Sequence, residues 1–108
     1  MHLKPITLSL AAITLTMLGC TSRADAPLPE PTTAMATSAQ ARWPDVTLEQ
    51  LTRGHAIMAE RCNTCHGMPA PSSEGVGEWP VIMKRMAKKA KLTEQQHQDL
   101  LRYVLAAR

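Results

Sequence analysis

The amino-acid sequence predicts an all-α fold of about three helices built around something besides its own side chains, and three observations carry this. Two Thr-x-x-Gln patterns, Thr47-Leu48-Glu49-Gln50 and Thr93-Glu94-Gln95-Gln96, have the form of capping boxes. In these a threonine hydroxyl and a glutamine side chain satisfy the first free N–H groups of a helix. Behind each cap, apolar residues recur at spacings of three and four, and no segment alternates with the period of two that a strand needs. Finally, the stretch from residue 45 onward holds no phenylalanine, one tyrosine and one tryptophan. A domain of about 64 residues with so few large side chains commonly relies on a metal, a disulfide or another staple.

The 108 residues allow one domain at most. Residues 1–19 have the character of an export signal: Lys4, then an apolar stretch from Ile6 to Leu18 diluted by Thr7, Ser9, Thr14 and Thr16. This is shorter and more polar than the roughly 20 apolar residues that span a bilayer. The segment ends Met17-Leu18-Gly19-Cys20, which resembles a bacterial lipobox with Met17 where leucine is usual. Two or more acyl chains on Cys20 would hold the protein stably on a membrane. Cleavage after Ala24-Asp25-Ala26, leaving a soluble periplasmic protein, is the competing reading. Residues 20–44 are rich in Ala, Thr, Ser and Pro, with Pro27, Pro29 and Pro31 at alternate positions. They are expected to form a flexible tether whose root-mean-square reach is about 25 to 30 Å.

The head is expected over residues 45–108. Its first helix starts at Thr47, with Val46 and Leu51 spaced as a hydrophobic staple. Leu48, Leu51, His55, Met58 and Cys62 then share one face. Gly67, Pro69, Pro71, Gly75 and Gly77 make residues 67–78 a loop. Trp79-Pro80 opens a second helix, because proline is tolerated in the first turn. Val81, Ile82, Met86 and Ala90 form its inward side, with Lys84, Arg85, Lys88, Lys89 and Lys91 on the remainder. The last helix follows Thr93 and carries Leu100, Leu101, Val104 and Leu105, with Tyr103 beside them.

Where the first helix ends, residues 62–66 read Cys62-Asn63-Thr64-Cys65-His66. This C-x-x-C-H spacing is the pattern of covalent c-type haem attachment. Cys62 and Cys65 can each add to one vinyl group, and His66 presents a neutral imidazole to the iron from the same turn. A haem held in this way would also supply the apolar bulk that the head lacks. Export agrees with it, since c-type haem is attached after the chain crosses the membrane. Three other readings compete. A redox dithiol would want a strand before the motif and a βαβ setting, whereas a helical period precedes Cys62. A zinc site needs further ligands at compact spacing, and only His55 and His97 remain in the head. Lastly, the cysteines could serve as small buried apolar residues. With Cys20 acylated and Cys62 and Cys65 on haem, no cysteine is left for a disulfide.

These residues resemble the class I c-type cytochromes. Gly54, Ile57 and Met58 stand before Cys62 at that family's spacing, and Leu100 and Tyr103 look like its C-terminal L-x-x-Y pair. The resemblance implies that the first and last helices cross with Gly54 against Tyr103; Met58, where an aromatic is common, is the departure. Met68-Pro69-Ala70-Pro71 after the motif, then Trp79-Pro80-Val81-Ile82 and Arg85-Met86, resemble a subgroup of very small single-haem members. There a helical methionine is the second axial ligand, which implies Met86. Met83 is the alternative one turn earlier, and His97 would give bis-histidine ligation. Met68 lies close to His66 in sequence, His55 is poorly placed, and a distal site left open is the remaining case. Pro69 or Pro71 is expected to offer a carbonyl to the second imidazole nitrogen, and Trp79 to donate to a haem propionate or fill the core.

The expected function is single-haem electron transfer rather than enzymatic bond chemistry, on the periplasmic side of a bacterial membrane, with redox proteins as partners. A haem protein with an open, gas-binding distal site, a haem subunit of a larger complex, and a redox or metal-binding lipoprotein without haem are the alternatives. The cation cluster from Lys84 to Lys91 is either a solvated helix face or a docking surface for an acidic partner. Export and the absence of a recognition motif argue against nucleic acid, despite a net charge of +3.

Overall fold

The computed structural model describes residues 27–108; the expected signal, Cys20 and Ala24-Asp25-Ala26 lie outside the described residues. It is all-helical, with no strand among those residues. Helix α1 spans Thr33–Ala39, α2 Leu48–Arg61, α3 Glu78–Lys89 and α4 Glu94–Ala106, with a short 3-10 turn at Pro71–Ser73. Both predicted caps are present. The Thr47 hydroxyl accepts from the Gln50 N–H at 3.1 Å, and Thr93 and Gln96 complete a reciprocal box. Gln50 does not close its own box, because its side chain is drawn into the interface with α4. Helix α3 opens one residue before Trp79, where the Glu78 carboxylate accepts from the Gly75 N–H at 2.7 Å.

The centre of the fold is the crossing of α2 and α4. A methyl group built on Gly54 would collide with the Asp99 carbonyl oxygen and come within 2.6 Å of the Tyr103 Cβ. Only glycine allows this approach, and the expected Gly54–Tyr103 contact is present. Leu51 and Met58 on α2, and Leu100, Tyr103 and Val104 on α4, are completely buried along the crossing. Helix α3 packs on α4 through Trp79, Met83 and Ala87. Of the residues expected on the inward side, Ile82, Met86 and Ala90 are half-buried beside this i, i+4 row, whereas Val81 is 67% exposed. Leu48, at the first turn of α2, is likewise exposed. Val46 and Leu51 are buried in one cluster, as a staple requires.

Residues 27–44 depart from the expected tether. Thr32 caps α1 by accepting from the Met35 N–H at 3.1 Å, and Ala36 and Ala39 are buried against Val46 and Leu51, with Trp43 and Ala106 alongside. Ahead of α1, Leu28 packs on the main cluster. The Pro29 carbonyl accepts from the Tyr103 hydroxyl at 2.8 Å, and Glu30 lies 3.7 Å from His55 Nε2. The small residues read as coil by composition thus include two alanines that are buried in the packing.

A polar network ties α2 to α4. Asp99, 2% exposed, accepts from Gln50 and Gln95 at 2.8 Å each and from Arg53 at 2.9 Å. Burial by itself pushes the Asp99 carboxyl up, but these three hydrogen bonds and the Arg53 charge outweigh it and hold the group below its ordinary value. Arg102 continues the network to Gln50 at 2.9 Å and Asp45 at 3.0 Å.

Candidate functional site

Helices α2 and α3 both rest on α4, and a cavity of about 540 Å³ lies between them. The end of α2 supplies one wall, with Met58, Arg61 and Cys62, followed by Thr64, Cys65 and His66 from the turn after it. Helix α3 supplies the other with Trp79, Ile82, Met83, Met86 and Lys89. Leu92 and Leu100 line it from α4 and the connection before it, and Pro69 and Glu74 from the intervening loop. A largely apolar concavity of this size is in the range of small-molecule and cofactor pockets, about 300 to 1,000 Å³.

All four site residues expected from the sequence, Cys62, Cys65, His66 and Met86, line this one cavity, together with the alternative Met83. Neither His55 nor His97 does. His97 instead has a buried Nε2 with no partner, on the face of α4 below its capping box. Cys62, C-cap of α2, is half-buried, and Cys65 is exposed. Burial pushes the Cys62 thiol up, with the nearby Arg61 charge opposing it, so this sulfur remains a thiol at neutral pH.

His66 Nδ1 lies 2.9 Å from the Gly67 carbonyl oxygen. A carbonyl can only accept, so the neutral ring carries its proton on Nδ1 and leaves Nε2 with a free lone pair. The carbonyl that orients the imidazole is therefore that of Gly67, not of Pro69 or Pro71. The Pro71 carbonyl is otherwise engaged: it accepts from the Trp79 indole N–H at 2.8 Å, and Trp79 is 1% exposed. The indole N–H is thus used to hold the loop on α3, and the ring fills the core beside the cavity.

The two methionines differ in how they are held. Met83 is 2% exposed and belongs to the main cluster with Met58, Trp79, Leu100, Tyr103 and Val104. Met86, three residues on, is half-buried and outside that cluster. Its thioether is the one not already committed to packing. The five cations of the 84–91 segment, Lys84, Arg85, Lys88, Lys89 and Lys91, are all exposed. None of them pairs with a carboxylate among the described residues.

The donor set and volume fit a covalently held haem. Two thiols and an imidazole from one stretch of chain line it, methionine thioethers of α3 line it as well, and the surroundings are largely apolar. No three His, Cys, Asp or Glu side chains converge among the described residues as a metal cluster would need. Arg61 and Glu74 also line the cavity, without a signal in the helical periodicity, and so does Lys89, which the periodicity placed on the outward side of α3. Comparison with protein-family models, with curated proteins and with solved structures finds no match.

Proposed function

We propose that the protein is a single-haem electron carrier of the c type, in which Cys62 and Cys65 would hold the cofactor by thioether bonds and His66 and Met86 would supply nitrogen and sulfur to its iron. The observation that carries this reading is the convergence of both cysteines, His66 and Met86 on one apolar cavity. Haem, when bound, supplies a one-electron iron couple. The chain does the rest. His66 offers Nε2, with its ring orientation held through Nδ1 by the Gly67 carbonyl. Met86 offers a neutral thioether, and His/Met ligation favours a relatively high potential. Met58, Ile82, Leu92 and Leu100 keep water from the cavity wall. The unpaired cations of α3 steer an acidic redox partner toward this edge of the molecule.

The surroundings of the head follow from the same reading. Acylation of Cys20 anchors the chain to a bacterial membrane on its periplasmic side. Because Leu28 and Pro29 are already docked on the head, only residues 21–26 separate the anchor from the first described residue. At about 3.3 to 3.6 Å per residue, the eight steps from Cys20 to Leu28 extend at most about 26 to 29 Å. The head therefore works close to the bilayer, which favours partners seated in or on the same membrane.

The test is a pyridine haemochrome assay on protein exported with a functioning haem-attachment system. One covalent haem per chain is expected, lost from the Cys62→Ala and Cys65→Ala variants. Wild-type protein without covalent haem under those conditions overturns the reading. In the haem-loaded protein, slow or absent carbon monoxide binding to the reduced form is expected, and rapid binding would instead favour an open distal site.

A further inference from the structure

One contact crosses the mouth of the cavity. The Arg61 guanidinium, on the last residue of α2 and immediately before Cys62, donates from Nη2 to the Ala90 carbonyl oxygen at 2.6 Å. That carbonyl lies just past the end of α3, among those that have no acceptor role left inside a helix. The backbone there is tightly specified. The Ala90 N–H returns to Met86 O at 2.8 Å, the Leu92 N–H returns to Ala87 O at 2.9 Å, and Lys91 adopts a left-handed φ of 55°. The turn thus aims the Ala90 carbonyl back toward α2, and a cation there also complements the negative end of the α3 dipole.

The position of this bond gives it a meaning beyond capping. Helices α2 and α3 pack on α4 rather than substantially on each other, so the separation of their cavity walls rests on few direct ties. Cys62 and His66 follow Arg61 on one wall, and Met86 precedes Ala90 by four residues on the other. We infer that Arg61 is a positioning residue: through the Ala90 carbonyl it holds the end of α3 against the end of α2, and so holds Met86 within reach of the position that His66 addresses from the opposite side. This rests on the proposed haem reading and adds to it a residue that touches neither iron nor sulfur.

The experiment uses the full-length, haem-loaded protein and three variants at position 61. Haem per chain comes from the pyridine haemochrome, which reports on the parent reading alone. The positioning role is read from carbon monoxide binding to the reduced protein, the methionine–iron absorption band of the oxidised protein and the reduction potential. Arg61→Gln, which removes the charge and the reach but keeps a polar surface residue, is expected to bind carbon monoxide at least tenfold faster than wild type and to weaken the methionine band. Arg61→Lys keeps a cationic donor and is expected within threefold of wild type. Arg61→Met, matched in bulk, should behave as Arg61→Gln. A purely structural role for Arg61 would lower the melting temperature of Arg61→Gln and leave the carbon monoxide rate, the band and the potential unchanged; that result overturns the inference. If neither neutral variant retains haem, proton exchange of the Arg61 guanidinium in the wild-type protein decides: protection supports the tie, and exchange at the free-solvent rate overturns it. Normal haem content with rapid carbon monoxide binding by the wild type itself overturns both Met86 ligation and this inference, while leaving covalent attachment intact.

Discussion

Replacing Gly54 with alanine tests the helix crossing on which the site is built. The added Cβ would collide with the Asp99 carbonyl and stand 2.6 Å from the Tyr103 Cβ, where ordinary contact begins near 3.4 Å. Neither atom can be moved by changing a rotamer, because one belongs to the backbone and the other is bonded directly to it. The helices must therefore part by about 0.8 Å or more at their closest point. A radial gap of about 0.5 to 1 Å forfeits a quarter to a half of each dispersion contact, and Leu51, Met58, Leu100, Tyr103 and Val104 all lie along this crossing. Overpacking costs about 1 to 3 kcal/mol and occasionally more; a backbone clash belongs at the upper end or beyond. Alanine returns at most about 1 kcal/mol in helix propensity over glycine. A net loss of about 2 kcal/mol remains, and at about 4 to 8 °C per kcal/mol for a domain of this size the melting temperature should fall by about 8 to 16 °C. Thermal unfolding of haem-loaded protein, followed by far-ultraviolet circular dichroism, measures it. A melting temperature at or above that of wild type would show that the helices do not meet at Gly54.

The other predictions concern the ligands, the tyrosine and the anchor. Met86→Ala should lower the reduction potential and admit carbon monoxide, with a small effect on stability because the side chain is only half-buried. Met83→Ala should leave both properties nearly unchanged yet destabilise the fold by about 2 to 5 kcal/mol, the range for emptying a buried site; the reverse ligand behaviour transfers the assignment to Met83. Tyr103 is the only tyrosine in the chain, and burial first, then Glu30, pushes its hydroxyl up to about 12. Folding therefore favours the neutral phenol: its contribution is complete below the unfolded value near pH 10 and is lost as pH rises toward 12. Tyrosinate absorbance should show a midpoint near 12, and Tyr103→Phe should flatten the alkaline fall in stability between those values; a midpoint near 10 would contradict the burial of the Tyr103 hydroxyl. Cys20→Ser should move the protein from membrane to soluble fractions, and unchanged membrane association would refute the lipid anchor.

Much of the fold is legible wherever a local rule and the tertiary structure agree. The Thr47 and Thr93 caps and the Val46–Leu51 staple depend on short-range spacing, and each is present; the Gly54–Tyr103 approach, between residues far apart in the chain, was implied only by the family resemblance, and it too is present. The failures are cases where a distant partner decides. Gln50 has the right spacing to complete its capping box, but its Oε1 accepts instead from Arg102 and its Nε2 donates to the buried Asp99, both on α4. The most buried row of α3 is Trp79, Met83 and Ala87, so of the residues expected to face inward Ile82, Met86 and Ala90 lie half-buried at its side and Val81 turns out to solvent. Residues 33–39 carry no large apolar side chain except Met35, so composition reads as coil, whereas the Thr32 cap and the burial of Ala36 and Ala39 against Val46 and Leu51 make them a docked helix. In the site, the motif residues were legible and their orienting carbonyl was not. Gly67 comes directly after His66, and only the ring's rotation shows that it, and not a proline carbonyl, is the acceptor.

The cavity explains why so small a head can be made with so few aromatic residues. Space left empty inside a packed core costs about 24 cal/mol per Å³. At that rate a closed, dry volume of about 540 Å³ would cost about 13 kcal/mol as an upper limit, as much as the whole stability of an ordinary domain, about 5 to 15 kcal/mol. The cavity is open on one side, so water or local collapse would recover part of this. Its walls nevertheless include Met58, Trp79, Met83 and Leu100, which are also the centre of the main cluster. The chain cannot close the space without dismantling the packing that makes the fold. On the proposed reading haem is therefore the missing half of the core as well as the redox centre. On that reading covalent attachment has a second use: a head whose stability depends on its cofactor would lose its fold on releasing it, and two thioether bonds would remove that equilibrium.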